Sequence, residues 1–307
     1  MVKYYKNSHN RLILFNYENT LKEMPEFLEQ EKTEDIINNQ EKLKLILPDK
    51  RIKTILKSLC NDKQNMVFII SSFDIKLLQI LFKDIDNLGL CGENGFYYKY
   101  PSEKEFNTLV KLTNTPWKEQ ILRILKMFSE RAEGAQIQEK ASCISWSYSF
   151  TNADSYFTQI QAEEIKNHLI SIIDTSKLDL ITQNDGTLLI RPHNVNKGAF
   201  LAKILQDKIM EKKFDFIFVL GNGESDEEMF KYLKSAKKYF NNFKEKIKVV
   251  SVTVNKQVSM ANYFLNNIDD CLEILDSLIH KERNDDVKTS NFYKKIYYND
   301  YEYESGE

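Results

Sequence analysis

Histidine and cysteine are both scarce, with four of each in 307 residues. Cys60, Cys91, Cys143 and Cys271 lie far apart, with no Cys-x-x-Cys spacing. A zinc site and a disulfide framework are therefore not expected, and reduced core thiols in a reducing compartment fit better. His9, His168, His193 and His280 form no cluster. No apolar run approaches the roughly 20 residues that span a bilayer. No signal-peptide apolar region precedes Arg11, and the mildly basic start makes a poor organelle presequence because Leu12 to Phe15 is needed as core. The chain reads as intracellular and cytoplasmic, with organelle import left open. Excess charge of either sign is also missing: the formal net charge is -2. With a pI near 6.2 there is no global basic field to invite nucleic acid. Lysine is abundant but interleaved with Glu and Asp, which reads as a solvated surface.

What the chain does have is core-forming material. Hydrophobic residues make up 42% of it. Short apolar runs, Leu12 to Phe15, Met66 to Ile70, Phe214 to Leu220 and Val249 to Val254, alternate with amphipathic segments. Among the latter, Ile52, Ile55, Leu56 and Leu59 recur at helical spacing after Pro48, through Leu59. Ile75, Leu78, Leu81 and Phe82 share a second helical face. Asn196-Lys197-Gly198 opens a helix to about Lys212, another starts near Glu227, and Ile268 to Ile279 closes the pattern. Strands alternating with helices imply a right-handed, doubly wound parallel sheet.

The pattern changes near Pro101. Residues 116–133 read as an amphipathic helix carrying Trp117, Ile121, Ile124, Leu125 and Phe128. Ala135 to Lys140 and Cys143 to Phe150 alternate like antiparallel strands. Gln159 to Ile173 is another helix, and Asp185-Gly186 is a strong hairpin signal between Leu178–Thr182 and Thr187–Arg191. The expected organisation is a Rossmann-like α/β core over 1–100 and 188–282, an inserted smaller α+β domain over 101–187, and a polar, Tyr-rich tail over 283–307. Residues 22–47, acidic, amide-rich and lysine-rich, are expected as a surface loop or poorly packed helical insertion.

The chemistry-bearing stretch is Arg11-Leu-Ile-Leu-Phe-Asn-Tyr-Glu-Asn-Thr-Leu21. An apolar run stopping at a polar turn delivers side chains to the carboxyl edge of an α/β sheet. It resembles the first motif of the haloacid-dehalogenase-like (HAD) phosphatases, Asp-x-Asp-Gly-Thr-Leu. Asn16 stands where the nucleophile belongs, Glu18 where the general acid belongs and Asn19 where the glycine belongs. Arg191-Pro-His-Asn-Val-Asn-Lys-Gly198 resembles Arg-Pro-x-Gly-Val-Asn-Lys-Gly of the trehalose-6-phosphate phosphatases. Gly221-Asn-Gly-Glu-Ser-Asp-Glu-Glu-Met-Phe230 resembles their Gly-Asp-Asp-x-Ser-Asp-Glu-x-Met-Phe. Gly92-Glu-Asn-Gly95 resembles their Glu-His-Gly turn, and Trp146-Ser-Tyr-Ser-Phe-Thr-Asn-Ala-Asp154 their Trp-His-Tyr-Arg-x-x-Asp cap stretch. The resemblance covers about residues 10–282.

The resemblance implies a HAD fold with a cap domain. It also implies a Mg²⁺-dependent reaction in which one carboxylate attacks phosphorus and a second carboxyl group serves the leaving oxygen. Here the positions depart from the pattern. Asn16 is a very poor nucleophile, and Glu18 is one methylene too long. Asn222 and Gly223 replace the acidic pair, while Asp226 remains, as metal contact or as a helix N-cap. No catalytic residue and no resident metal are expected; Mg²⁺ is expected only if the chain is an enzyme after all. The implied phosphate and sugar contacts survive in part, as Ser71, Lys197 and Glu93, with Glu139 and Lys140 slightly displaced. Ser72 and Phe73, Asn94, Ser147 and Ser149 depart from the family's residues. Trp146 and Tyr148 read as core packing rather than ligand stacking.

The expected function is a catalytically inactive, trehalose-phosphatase-like subunit of a larger assembly, connected with trehalose metabolism. The tail is one surface for protein partners. The alternatives are an active Mg²⁺-dependent trehalose-6-phosphate phosphatase and a regulatory subunit that senses a phosphosugar weakly. No synthase domain is read in the chain.

Overall fold

The apolar runs form the centre of a sheet because each alternates two apolar faces. β1 (Arg11–Asn16) pairs in parallel with β2 (Asn65–Ile70) on one side and with β10 (Phe216–Gly221) on the other. β11 (Lys248–Val254) continues the parallel set beyond β10. Leu12 and Leu14 point to one face, packing with Phe200, Leu201, Met229 and Phe230. Ile13 and Phe15 point to the other, packing with Leu56, Leu78 and Leu275. A strand covered on both faces must be apolar throughout, which is why these runs are continuous. Burying each such side chain contributes about 1.5–3 kcal/mol, so this two-sided core dominates the stability.

The computed structural model describes residues 1–28, 31–111, 116–132, 134–147, 155–183, 187–207, 214–239, 247–255, 258–279 and 297–298. Among them, the main sheet has nine strands in the order β13-β12-β11-β10-β1-β2-β3-β4-β5. The added strands are β3 (Leu88–Gly92), β4 (Tyr97–Lys99), β5 (Asn107–Thr108), β12 (Tyr263–Leu265) and β13 (Tyr297–Tyr298). One face carries α4 (Lys50–Asn61), α5 (Ile75–Leu81) and α10 (Ile268–Ile279); the other carries α8 (Lys197–Gln206) and α9 (Glu224–Tyr239). β13 comes from the Tyr-rich tail and pairs antiparallel with β12. The rest of the tail lies outside the described residues, as do Tyr148, Ser149 and the Asp185-Gly186 turn. All four cysteines are free; Cys60, Cys91 and Cys271 are buried. Burial pushes the Cys60 and Cys271 thiols up to about 12.

Several sequence expectations shift. α4 begins at Lys50 rather than at Pro48, because the Asp49 carboxylate accepts from Ile52 N at 3.0 Å and sets the N-cap. α8 ends at Gln206, short of Lys212. The 22–47 segment is not a poorly packed insertion. Following the N-terminal helix α1 (Val2–Asn7) and β1, it holds a 3-10 turn (Glu26–Leu28), α2 (Thr33–Asn38) and α3 (Gln40–Ile46). Met24, Leu28, Ile36 and Ile46 are buried in the main core. The Tyr17 hydroxyl donates to Ile46 O at 2.6 Å, and burial pushes that hydroxyl's pKa up, keeping the donor protonated.

The chain divides into two compact units: residues 1–109 with the described residues from Asn196 onward, and Val110–Val195. The expected insertion boundaries of 101–187 therefore move to 110–195. The reason is β9 (Thr187–Pro192), which is hydrogen-bonded to β7 (Ile144–Ser147) and to β8 (Leu178–Thr182). With β6 (Gln136–Glu139) these form an antiparallel sheet in the order β6-β7-β9-β8. α6 (Pro116–Ser129) and α7 (Ser155–Ile172) supply Ile121, Leu125, Ile165 and Leu169 to its core. Trp146 is fully buried there and donates its indole N–H to Ser129 Oγ at 2.8 Å. It is a core residue.

His193 follows β9 with both ring nitrogens facing acceptors, Nε2 the Thr175 carbonyl at 2.8 Å and Nδ1 the Asp179 carboxylate. Only an imidazolium donates from both. The Thr175 hydrogen bond first, then Asp179, raise its pKa from an ordinary 6.5, against some desolvation. A group that binds its proton more tightly folded than unfolded contributes fully below the ordinary value. It loses that contribution as pH climbs through the raised value. Stability measured by denaturant from pH 5 to pH 9 is expected to fall more steeply in the wild type than in His193→Gln. Equal slopes would show that these two hydrogen bonds do not favour the protonated ring.

Candidate functional site

The strand order β10-β1-β2 brings three carboxyl ends side by side at the sheet edge. Asn16 ends β1, Ser71 follows β2, and Asn222 follows β10. Lys197 begins α8, whose N-cap Asn196 accepts from Ala199 N at 2.7 Å. Lys197 is 2% exposed and Asp226 is fully buried. The Lys197 ammonium donates to Asp226 Oδ1 at 2.8 Å and to Asn16 Oδ1 at 3.0 Å. Asp226 Oδ2 accepts from Asn222 N at 2.9 Å and Gly223 N at 3.1 Å. Asp226 thus sits inside the first turn of α9 and reaches back to its start. It is not an N-cap residue, one of the two roles weighed from the sequence; its carboxylate accepts from the N–H groups at and just before the helix start, as the third residue of a capping box does. Gly221 permits this approach: a Cβ there would lie 2.4 Å from Asp226 Cβ.

The remaining half of Asn16 decides what the site can hold. Its amide nitrogen donates toward Glu18 O at 2.7 Å, Thr20 Oγ1 at 3.1 Å and Asn222 Oδ1 at 3.1 Å. Three oxygens converging on one point is also what a hard divalent cation seeks. Here the N–H₂ group fills that point. Asn16 Oδ1 is taken by Lys197, and both Asp226 oxygens are engaged. No three His, Cys, Asp or Glu side chains gather as a metal-holding group among the described residues. The donor set does not fit Mg²⁺.

Glu18 turns elsewhere. Its Oε1 accepts from Ser71 Oγ at 2.6 Å, Ser72 N at 2.7 Å and Ser72 Oγ at 2.8 Å. Its Oε2 is buried without a hydrogen-bond partner among the described residues. Asn19 adopts the left-handed region at φ 52°, which asparagine tolerates where glycine would be easiest, and its side chain accepts from Met24 N at 2.8 Å.

The profile of the trehalose-phosphatase family matches residues 35–269. The chain belongs to the trehalose-phosphatase family. It is 26% identical over 279 residues to "Probable alpha,alpha-trehalose-phosphate synthase [UDP-forming] 9" of Arabidopsis thaliana, covering 91% of this chain and 30% of that protein. It is 29% identical over 234 residues to "Trehalose-phosphatase" of Schizosaccharomyces pombe, covering 76% of this chain and 28% of that protein. It spans under a third of the length of either. The solved C-terminal domain of the C. albicans trehalose-6-phosphate phosphatase superposes with a TM-score of 0.74 at 25% identity, over 91% of this chain and 95% of that one. The HAD-like α/β fold is shared throughout that span.

Within this trehalose-phosphatase-like domain, the structure brings Asn16, Glu18, Ser71, Lys197, Asn222, Gly223 and Asp226 into one network. Glu93 is buried in the next turn, where Glu93 N donates to Phe73 O and Asn94 N to Ser71 O, both at 2.9 Å. Glu139 and Lys140 belong to the other unit. Glu139 is half exposed and pairs with Lys118 at 3.9 Å. Lys118, itself buried, donates to the carbonyls of Lys140 and Ala141. Sequence reasoning missed Lys118, Thr20 and the donor role of Ser72. Thr20 could have been found, since it is the threonine of the first motif.

Proposed function

We propose that this chain is a non-hydrolysing member of the trehalose-phosphatase family that serves as a structural or regulatory domain. The observation that carries the reading is Asn16. Its neutral amide presents hydrogens to the oxygens a cation would need, and its one oxygen is held by Lys197. In-line attack on phosphorus requires an ionised nucleophile, and a neutral amide oxygen is not one. The names of the relatives point to a trehalose phosphate as the ligand class against which the domain should be tried. The tail strand β13, at the edge of the main sheet, is one place where a partner could be met.

The test is turnover of trehalose-6-phosphate with and without Mg²⁺. Wild-type protein is expected to release phosphate no faster than a no-protein control. Mg²⁺-dependent release that disappears in Asn16→Ala would establish the enzyme reading instead. Calorimetric titration with trehalose-6-phosphate then separates a regulatory sensor, which gives heat, from a scaffold, which gives none.

A further inference from the structure

We propose that the chain's own Glu18 carboxylate is the resident anion of the turn after β2, filling the oxyanion cradle where the resemblance puts a phosphate contact. Three donors of different origin converge on one oxygen: the Ser71 hydroxyl, the Ser72 hydroxyl and the Ser72 backbone N–H, at 2.6–2.8 Å. Ser71 is fully buried, and its oxygen also accepts from Phe73 N at 3.0 Å, which orients its hydrogen toward Glu18. Such a focus of fixed donors suits an oxygen carrying negative charge, and charge-assisted bonds of this length are the strong kind.

The fit of the occupant is one-sided. Glu18 Oε1 takes all three donors, while Oε2 is buried with none among the described residues. A buried charged oxygen without a donor is costly. The carboxylate stays because the cradle's hold on the first oxygen outweighs that cost. The local charge closes the argument. Lys197 is neutralised by Asp226 at 2.8 Å, so Glu18 leaves the network one negative charge in excess. A phosphate monoester arriving at this sheet edge meets a filled cradle, a like charge and no spare cation in the network. The site is therefore self-occupied. The ligand class the cradle would take with Glu18 removed is a tetrahedral oxyanion.

This inference deepens the non-hydrolysing reading and rests on it, but its test reads binding, not turnover. Calorimetry and thermal unfolding are run on the full chain with inorganic phosphate and with tungstate. Wild-type protein is expected to show no saturable heat and no shift in melting temperature. Glu18→Ala is expected to bind either anion at least ~10-fold more tightly than wild type, with a melting temperature that rises with anion concentration. Adding Ser71→Ala to it should abolish the gain. Glu18→Ser serves the same purpose if Glu18→Ala does not fold. An anion-dependent rise in the wild-type melting temperature, equal binding by wild type and variant, or no binding by a folded variant would each overturn the cradle. Hydrolysis by the wild type would overturn the non-hydrolysing reading separately.

Discussion

Replacing Lys197 with methionine is expected to lower the free energy of unfolding by about 3–5 kcal/mol, the cost of stranding one partner of a buried ion pair. Lys197 is 2% exposed, and its ammonium joins Asp226 to Asn16. Methionine matches the volume and removes only the charge and the hydrogen bonds. Asp226 would keep two backbone donors on Oδ2 and lose its cation on Oδ1, while Asn16 Oδ1 would lose its partner. A loss of that size is a large part of the roughly 5–15 kcal/mol that holds a typical domain together. It corresponds to a melting temperature lower by about 6–20 °C for a unit of this size. Denaturant unfolding checks it. Lys197→Met with Asp226→Asn should cost clearly less than the two single changes added, because the pair is coupled. Additive losses, or a Lys197→Met protein as stable as wild type, would show that the buried pair does not hold the site together.

Much of this arrangement was legible in the sequence, and the reason is local. The apolar runs Leu12 to Phe15 and Phe214 to Leu220 announce buried strands, and a polar turn at each end announces the carboxyl edge of the sheet. Asn196 before Lys197 is an N-cap by residue type alone. What was not legible depends on distant partners. The orientation of the Asn16 amide is fixed by Lys197 and Asn222, 181 and 206 residues away along the chain. Glu18 could not be seen to fill the Ser71–Ser72 turn, since that contact joins two loops 53 residues apart at Ser71. The packing of Met24, Leu28, Ile36 and Ile46 was hidden by irregular spacing within a polar stretch. The second unit's far boundary was misplaced because β9 completes a sheet whose other strands come earlier.

Restoring the missing carboxylates should have the largest effect on chemistry. The variant carries Asn16→Asp, Glu18→Asp, Asn222→Asp and Gly223→Asp together. There is room for it: a Cβ on Gly223 meets only Asp226 Oδ2, at 3.9 Å. Shortening Glu18 withdraws the carboxylate from the Ser71–Ser72 turn, Asn16→Asp and Asn222→Asp put acidic oxygens at and beside the point now filled by the Asn16 amide, and Gly223→Asp adds a carboxylate on the side of Asp226. The proposed non-hydrolysing reading predicts that the fourfold variant binds Mg²⁺ and the wild type does not. At a Mg²⁺ concentration 100 times Kd, the gain in stability would be about 2.7 kcal/mol. Phosphate release from trehalose-6-phosphate should then become Mg²⁺-dependent. Asn16→Asp alone should gain nothing measurable. It faces the Glu18 carbonyl and the Asn222 oxygen with a charge, its neighbouring cation Lys197 is already shared with Asp226, and catalytic groups that act as a unit lose roughly 10⁶-fold when one member is absent. It should also be less stable than wild type, because the Glu18 carbonyl and the Asn222 oxygen, two of the three that now accept from the amide, would face an oxygen instead. Full activity from Asn16→Asp alone would mean that the metal site is intact without its other acids, and the account of Asn16 as the group that displaces the cation would be wrong.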